Sequence, residues 1–194
     1  MKKMILLLAT VIGGLSANAQ KGAFIIESGL TFPNYNEMVL KKLDFTINSS
    51  TTPKQLKVGY YFSNKISVST GINISSARTN AKDVRDDLGK YLYSYSFDVS
   101  QIAFLLHVNY NYIANAKWNL SSGIGIGTEV ANLEVTVTPS NYTAPENIGV
   151  GGLALHITAL DAKYYFNNWI GLHGKLGIGS EGYIGLGATF RINK

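Results

Sequence analysis

Apolar and small polar side chains alternate with a period of two over most of the chain after residue 23. In the stretch 118–130, the even positions are mostly apolar, whereas the odd positions are Asn, Ser, Gly or Glu. Successive side chains of a β-strand point to opposite faces, while a helix repeats about every 3.6 residues, so this pattern predicts strands. The eight stretches that show it are 24–32, 56–62, 66–74, 102–112, 118–130, 160–166, 170–178 and 184–192.

The connections between these stretches alternate in length. Short ones run from aromatic residues through Asn to a bulky apolar residue, and Asn tolerates the positive φ that tight hairpins need. These short connections are 60–66, 110–118 and 164–170. The longer and more polar connections are 33–54, 79–96 and 138–149, and a short turn lies at 180–182. Such alternation predicts an all-β, antiparallel up-and-down barrel of eight strands.

The composition of the polar face indicates which face points inward. This face is Gly, Ser, Thr and Asn, and the charged side chains of 58–77 and 99–128 are Lys65 and Lys117, both at turns. In a soluble barrel, the face toward water would carry Lys and Glu in numbers. The interior of a narrow eight-stranded barrel has room chiefly for small side chains. We therefore predict a transmembrane β-barrel, with the small polar face inside and the apolar face toward lipid.

This assignment of faces predicts different effects of substitutions at Ile126 and Gly125. Ile126 is placed toward lipid, where a lysine is expected to oppose insertion by about 2–4 kcal/mol. Gly125 is placed toward the lumen, as are Gly123 and Gly127, which we interpret as residues that save space inside the barrel. Gly125→Ser is therefore expected to be milder than Ile126→Lys.

Aromatic residues cluster at the end of the predicted barrel that carries the short connections. They are Tyr60, Phe62, Tyr110, Tyr112, Trp118, Tyr164, Phe166, Trp169 and Phe190. Tyr and Trp prefer the membrane interface, where the ring is in an apolar environment and its polar edge is hydrated. The clustering predicts an aromatic girdle at one membrane surface.

The parity of the alternation changes at three places in the sequence, 99–102, 130–133 and 157–160. A β-bulge inserts one extra residue into a strand and so shifts the parity of the residues that follow. All of these places lie toward the longer connections. The pattern therefore predicts a β-bulge at each of them.

Residues 1–19 are typical of a secretory signal peptide. Lys2 and Lys3 precede an apolar run at 4–15, and the small residues at 16–19 form a cleavage site after Ala19. A run of this length spans only about 18 Å of a hydrocarbon core roughly 30 Å thick, so a membrane anchor is disfavoured. We expect export, with 20–194 forming the barrel domain.

The complete pattern resembles the small outer-membrane β-barrel domain of Gram-negative bacteria, of the OmpA- and OmpX-like kind. The phrases Tyr-Tyr-Phe-Ser-Asn at 60–64 and Gly-Ile-Gly-Ile-Gly at 123–127 are most similar to PorT-type barrels of the Bacteroidetes. The resemblance covers 21–194 and implies an outer-membrane location. It carries no catalytic motif. One departure is the chain end at 190–194, which is Phe-Arg-Ile-Asn-Lys rather than a terminal aromatic residue.

Several charged residues share the inward parity of the predicted strands. They are Glu27, Lys57, Glu129, Asp161, Lys163, Lys175 and Arg191, accompanied by His107 and His173. An unpaired charge in a dry interior costs several kcal/mol, so we expect these groups to pair and to plug the lumen. The alternative is a narrow polar channel through the membrane.

Motifs for other chemistry are weak. The chain has no Cys, so it forms neither disulfides nor thiolate zinc sites, and its His residues lack metal-binding spacing. Glycines 177, 179 and 182 match Gly-x-Gly-x-x-Gly, but no helix follows them. An alternative places His156, Thr158 and Asp161 at the centre of a lipid A-modifying enzyme, yet periodicity directs His156 inward, away from lipid. We therefore predict no enzyme activity, no catalytic residue, no cofactor and no metal.

The expected partners follow from location and charge. Without Lys2 and Lys3 the formal net charge falls from +5 to about +3, which is too mild for a nucleic-acid-binding protein, and export separates the chain from nucleic acid. The connections 33–54 and 79–96 hold much of the charge, and loops on rigid barrels often carry function. We expect a monomer in outer-membrane lipid with a structural or interaction role, in adhesion, envelope integrity or secretion support.

Overall fold

The computed structural model describes residues 20–85, 87–139 and 147–192. The predicted signal peptide at 1–19 lies outside the described residues, so it stays a prediction. The elements, in chain order, are β1 (Phe24–Phe32), α1 (Tyr35–Lys42), β2 (Ile47–Tyr61), β3 (Ile66–Thr79), β4 (Lys82–Arg85), β5 (Tyr91–Ala114), β6 (Trp118–Thr138), β7 (Ile148–Tyr165), β8 (Ile170–Gly179) and β9 (Ile184–Ile192). Within the described ranges, no helix is both long enough and apolar enough to cross a bilayer.

The strands form one closed antiparallel barrel. The order around the sheet is β3, β2, β1, β9, β8, β7, β6 and β5, and pairing between β3 and β5 closes it. Among the described strands, the short β4 pairs only with β5, beyond the closed part. All the pairs are antiparallel, and consecutive barrel strands are neighbours. The predicted eight-stranded up-and-down barrel is therefore confirmed.

The barrel has a polar interior and an apolar exterior, as the alternation predicts. On β5, His107 is fully buried, whereas its neighbours Leu106 and Val108 are 52% and 47% exposed. The buried side chains are mostly polar, and the exterior carries Leu, Ile, Val and aromatic residues. The predicted assignment of faces is confirmed for the described strands.

The wall of the barrel is much higher on one side than on the other. The strands β5, β6 and β7 have 24, 21 and 18 residues, whereas β8, β9 and β1 have 10, 9 and 9. The tall strands continue past the closed barrel at the end with the long connections. On the low side, the edge of β7 above His156 has no paired strand among the described residues.

The connection 33–54, predicted as a loop, contains α1 and the first part of β2. Asn34 caps the helix by accepting hydrogen bonds from the backbone N–H groups of Asn36 and Glu37, at 3.0 and 3.4 Å. Hydrogen bonds from Lys41 and Ser50 hold the pKa of Glu37 below its usual value. Asn followed by Glu at the third position is a known helix-start signal, so the sequence did contain evidence for α1.

The helix α1 lies at the mouth of the barrel. Asn36 donates from its side chain to the Ser75 hydroxyl at 3.0 Å, on the inner face of β3. Asn34 donates to the backbone carbonyls of Thr51 and Ser76, at 2.9 and 2.7 Å. Leu40 is buried at 5% exposure. The helix therefore lies over the mouth of the barrel, against the upper parts of β2 and β3.

The connection 79–96 is also not a simple loop, because β4 and the start of β5 form a hairpin above the barrel. Tyr95 and Phe97 lie on the inner face of this extension and pack edge-on against Phe45, at centroid distances of 6.2 and 4.9 Å. Phe97 is opposite Val135, and Tyr95 is opposite Val137. The inner face therefore becomes apolar above the mouth of the barrel.

Only one of the three predicted bulges exists. The pairing of β5 with β6 is continuous through 99–102 and 130–133, so those two predictions are wrong. The parity changes there because the inner face becomes apolar, not because the backbone shifts. The prediction at 157–160 is confirmed, since Ser121 pairs with Asp161 while Gly123 pairs with Thr158.

Candidate functional site

The upper part of the barrel interior is organised around Glu181, which is 1% exposed. Its Oε2 lies 2.6 Å from Lys175 Nζ and 3.1 Å from Lys57 Nζ. Its Oε1 lies 2.9 Å from Nε2 of His107, and Nε2 of His156 lies 3.6 Å from its Oε2. We call these five residues the Glu181 cluster. One carboxylate thus faces two ammonium groups and two imidazoles.

The turn between β8 and β9 directs Glu181 into the lumen. Gly179 and Gly182 on either side of it have φ of +130° and +91°, values that residues with a side chain rarely adopt. Gly182 N–H donates to the Gly179 carbonyl at 3.0 Å and closes the turn. The Gly-x-Gly-x-x-Gly sequence therefore ends in a turn that positions Glu181. The sequence prediction missed Glu181, because strand parity does not apply to a turn; an acid between glycines was the available signal.

A second group of charges lies beside the Glu181 cluster, toward the short-turn end. Lys163 Nζ lies 2.9 Å from Glu27 Oε1 and 2.8 Å from Asp161 Oδ2, and His173 Nδ1 lies 3.7 Å from Glu27 Oε2. We call these four residues the Lys163 cluster. Strand register joins the two clusters, because Glu27 is opposite Lys57 and Asp161 is opposite Lys175. Five of the seven predicted lumen charges therefore lie in these two clusters.

Arg191, also predicted for the charge network, has a different set of partners. Its guanidinium donates to the backbone carbonyls of Asn115, Ala116 and Asn168, at 3.4, 2.9 and 3.2 Å. It also stacks on the ring of Tyr165 at 4.1 Å from the centroid. Among the described residues, no ion pair joins it to an acid. Arg191 therefore closes the short-turn end by bonding to loop carbonyls.

Buried amides complete this end of the interior. The Gln20 side chain is fully buried and donates to the Asn115 carbonyl at 2.9 Å. Asn119 donates to Gln20 Oε1 at 3.0 Å and to Asn111 Oδ1 at 3.1 Å. Buried amides need such partners, because an unsatisfied polar group costs about 1–3 kcal/mol. The residue after the predicted cleavage site is thus built into the barrel.

Glu129 is the other predicted charge that lies outside both clusters. It is half-buried and accepts a hydrogen bond from Gln101 Nε2 at 3.0 Å. No described lysine, arginine or histidine is in ion-pairing distance of it. Its carboxylate faces the upper mouth of the barrel, next to a cavity described below.

The three candidate residues for lipid A chemistry are not assembled into a reactive arrangement. Both ring nitrogens of His156, the Thr158 hydroxyl and Asp161 Oδ1 have no hydrogen-bond partner in the structure. His156 is therefore bonded to neither residue, and its Nε2 lies 3.6 Å from Glu181 Oε2. Within 20–85, 87–139 and 147–192, no group of three His, Asp or Glu residues is arranged to hold a metal ion.

Gly125→Ser is expected to destabilise the barrel by about 1–3 kcal/mol. A Cβ at Gly125 would lie 2.6 Å from the ring of His107, which is buried and hydrogen-bonded to Glu181. The space that a side chain at Gly125 would need is thus already occupied by the His107 ring. Gly151→Ser is the control, because a Cβ there meets nothing closer than the Glu129 carbonyl at 3.9 Å. Guanidinium unfolding of both variants tests this, and equal stabilities would contradict it.

The chain is similar to several solved structures, at low sequence identity. No family model and no curated protein matches the sequence. The Pseudomonas aeruginosa outer membrane protein OprG is 14% identical, over 91% of this chain and 99% of that chain, with a TM-score of 0.48. The N-terminal β-barrel domain of Pseudomonas aeruginosa OprF is 14% identical, over 89% of this chain and 98% of that chain, with a TM-score of 0.44. Ail of Yersinia pestis, solved with the heparin analogue sucrose octasulfate, is 14% identical, over 89% of this chain and all of that chain (100%), with a TM-score of 0.47.

Proposed function

We propose that this chain is an integral outer-membrane β-barrel protein whose lumen is plugged and whose role is structural or interaction-based. In this proposal the protein is exported, cleaved after Ala19 and inserted as a monomer. Its short turns face the periplasm and its long connections face outward. The observation that carries the proposal is the apolar belt around a polar, charge-paired interior. The likeness of 60–64 and 123–127 to PorT-type barrels belongs to the same proposal.

The dimensions of the apolar belt support insertion into a bilayer. Along β5, the outward side chains from Ile102 to Tyr112 are 42% to 58% exposed, and all of them are apolar or aromatic. At about 3.4 Å per residue and a tilt of about 40°, this stretch gives a band roughly 26 Å tall. Outer-membrane barrels have an apolar band of about 25 Å. Water is a poor solvent for such a continuous surface, and lipid is a good one.

Aromatic contacts at the short-turn end support the same orientation. Trp118 packs on Tyr164 with centroids 4.7 Å apart, and Tyr60 packs on Phe62 at 5.0 Å. Outward aromatic residues such as Phe166 are more than half exposed at this end. Rings of this kind are favoured at the headgroup level of a membrane. We place this girdle at the periplasmic surface.

The interior supports a plugged lumen over a channel. The Glu181 cluster, the Lys163 cluster and the Gln20 amide network follow one another from the mouth to the short turns. Their carboxylates and ammonium groups are paired at 2.6–3.1 Å. An ion crossing the lumen would have to break these contacts, which are strong where water is excluded.

The tall side of the barrel supports an interaction role at the outer surface. The hairpin of β4 and β5 extends above the closed barrel, and Leu88 near its tip is 93% exposed. Because β4 pairs with β5 outside the closed barrel, replacing 82–90 by a short Gly-Ser linker is expected to leave all eight barrel strands in place. If the protein has an interaction role, cells that carry this variant are expected to lose the binding that the hairpin provides at the cell surface. A purely structural role predicts that envelope integrity is unchanged by it and is lost only when the whole protein is absent.

Membrane insertion and lumen closure are tested separately. The protein is expected in the outer-membrane fraction, and its gel mobility is expected to change on boiling, because a folded barrel resists detergent until heated. In planar bilayers the inserted barrel is expected to show no steady unitary current. Recovery of processed protein in the soluble periplasm would contradict the membrane proposal. Steady currents from an inserted barrel would contradict only the plug.

A further inference from the structure

The barrel wall is interrupted between β7 and the end of β8. The last residue pair of these strands is His156 with Gly179, and Ser180 N–H donates to the Leu155 carbonyl at 2.9 Å. Above this point, residues 148–154 of β7 have no described strand on that side. On the other side of the low wall, where β2 rises above β1, the Asn34 side chain donates to the Thr51 carbonyl. Native proteins usually protect the unpaired edges of their strands, so the unpaired edge of β7 requires an explanation.

A cavity of about 280 Å³ lies at the interruption and is lined from both faces of the wall. Gln101 and Glu129 line it from the inner face. Leu153, Leu155 and Ile178 line it from the outer face, where they are 65%, 52% and 59% exposed. The cavity therefore connects the polar mouth of the barrel with the apolar belt.

The carboxylate of Glu129 is electrostatically unlike the other inward acids of the described chain. Glu27, Asp161 and Glu181 each have a lysine ammonium within 3.1 Å. Glu129 has only the Gln101 amide, at 3.0 Å. Its cross-strand neighbour is Gly152, where a Cβ would meet no atom closer than Glu129 Cγ at 3.8 Å, so space beside the carboxylate is open.

We propose that this cavity binds a cationic amphiphile with an aliphatic chain. Its ammonium or guanidinium head is held by Glu129 and Gln101, and its chain follows Leu153 and Ile178 out to the lipid. A charge-assisted hydrogen bond is strong in a partly desolvated site, and the single negative charge disfavours anionic heads. The inference rests on the proposed membrane insertion, because only a bilayer surrounds the outer half of the cavity with apolar solvent.

The test uses the full barrel in phosphatidylcholine nanodiscs and a long-chain alkylamine that carries a photoreactive diazirine. Labelling is expected to saturate and to map to 148–155 and 176–183. Glu129→Gln keeps the shape of the side chain but removes its charge. It is expected to raise the probe concentration at half-saturation by about tenfold or more. Glu134→Gln is the matched control, since Glu134 is an exposed residue of the same strand and is expected to leave labelling unchanged.

The outcomes distinguish this site from the proposed function. A chain that fails to enter the discs, judged by its heat-dependent gel shift, contradicts the proposed function. An inserted barrel labelled evenly around its belt, or labelled equally with and without the Glu129 charge, contradicts the amphiphile site alone. Competition by dodecylamine added from solution indicates a free ligand, whereas competition by an aminolipid placed in the disc indicates a membrane lipid; either supports the site.

Discussion

Glu181→Ala is expected to lower the free energy of unfolding by about 3–5 kcal/mol, the largest effect of any single substitution considered for this protein. Removing the carboxylate leaves the ammonium groups of Lys57 and Lys175 buried without their anion. His107 also loses its hydrogen bond. The measurement is a guanidinium titration of the barrel in phospholipid vesicles, followed by fluorescence of Trp118 and Trp169.

The matched control for this variant is Glu37→Ala on α1. Glu37 also pairs with a lysine, since Lys41 Nζ lies 2.5 Å from its Oε1, but Lys41 is 60% exposed. Exposed ion pairs contribute about 0–1 kcal/mol, so this control is expected to change stability little. If Glu181→Ala were no more destabilising than Glu37→Ala, the Glu181 cluster would not hold the interior together.

Ile126→Lys is expected to oppose membrane insertion by about 2–4 kcal/mol, because it places an ammonium group against acyl chains near the middle of the belt. Ile126 is 56% exposed on the outer face, and its neighbours in the sheet are Leu106 and Leu155. The fraction of protein that becomes heat-modifiable after folding into vesicles measures the effect. A lower folded fraction at equal protein concentration is the expected result.

The control for depth is Val130→Lys on the same face of the same strand. Val130 is 49% exposed, close to the value for Ile126, but it lies nearer the long connections. The penalty for lysine falls to about 0–1 kcal/mol near the membrane surface, so Val130→Lys is expected to fold almost normally. Equal folding of both variants would contradict the placement of the apolar belt.

The barrel and its faces were predictable because they depend on local information. A strand places residues i and i+2 on one face, so the chemistry of each face is written along a single stretch of sequence. The same rule gives a wrong prediction where the inner face changes from polar to apolar, because the change looks like a shift of parity. Leu133 and Val135 suggested a bulge, yet they continue the inner face above the mouth, where Phe97 and Tyr95 on β5 make it apolar.

The grouping of the lumen charges was less accessible to sequence reasoning. Lys163 on β7 reaches Glu27 on β1, and this contact depends on which strands face each other across the lumen. Arg191 has inward parity but bonds to loop carbonyls, because loops fold over the short-turn end. Parity predicts that a side chain faces inward, and it does not predict which group that side chain meets.

The sequence by itself determined an all-β barrel of eight strands with small polar residues inside and apolar residues outside, because strand periodicity and face composition are local properties of the chain. The tertiary structure alone decided that Glu181 is the centre of the upper interior, that α1 lies over the mouth of the barrel, and that Glu129 lies beside an opening in the wall. These features arise from unequal strand lengths and from turns that fold inward. Contacts of that kind join residues far apart in sequence, and only barrel closure brings them together.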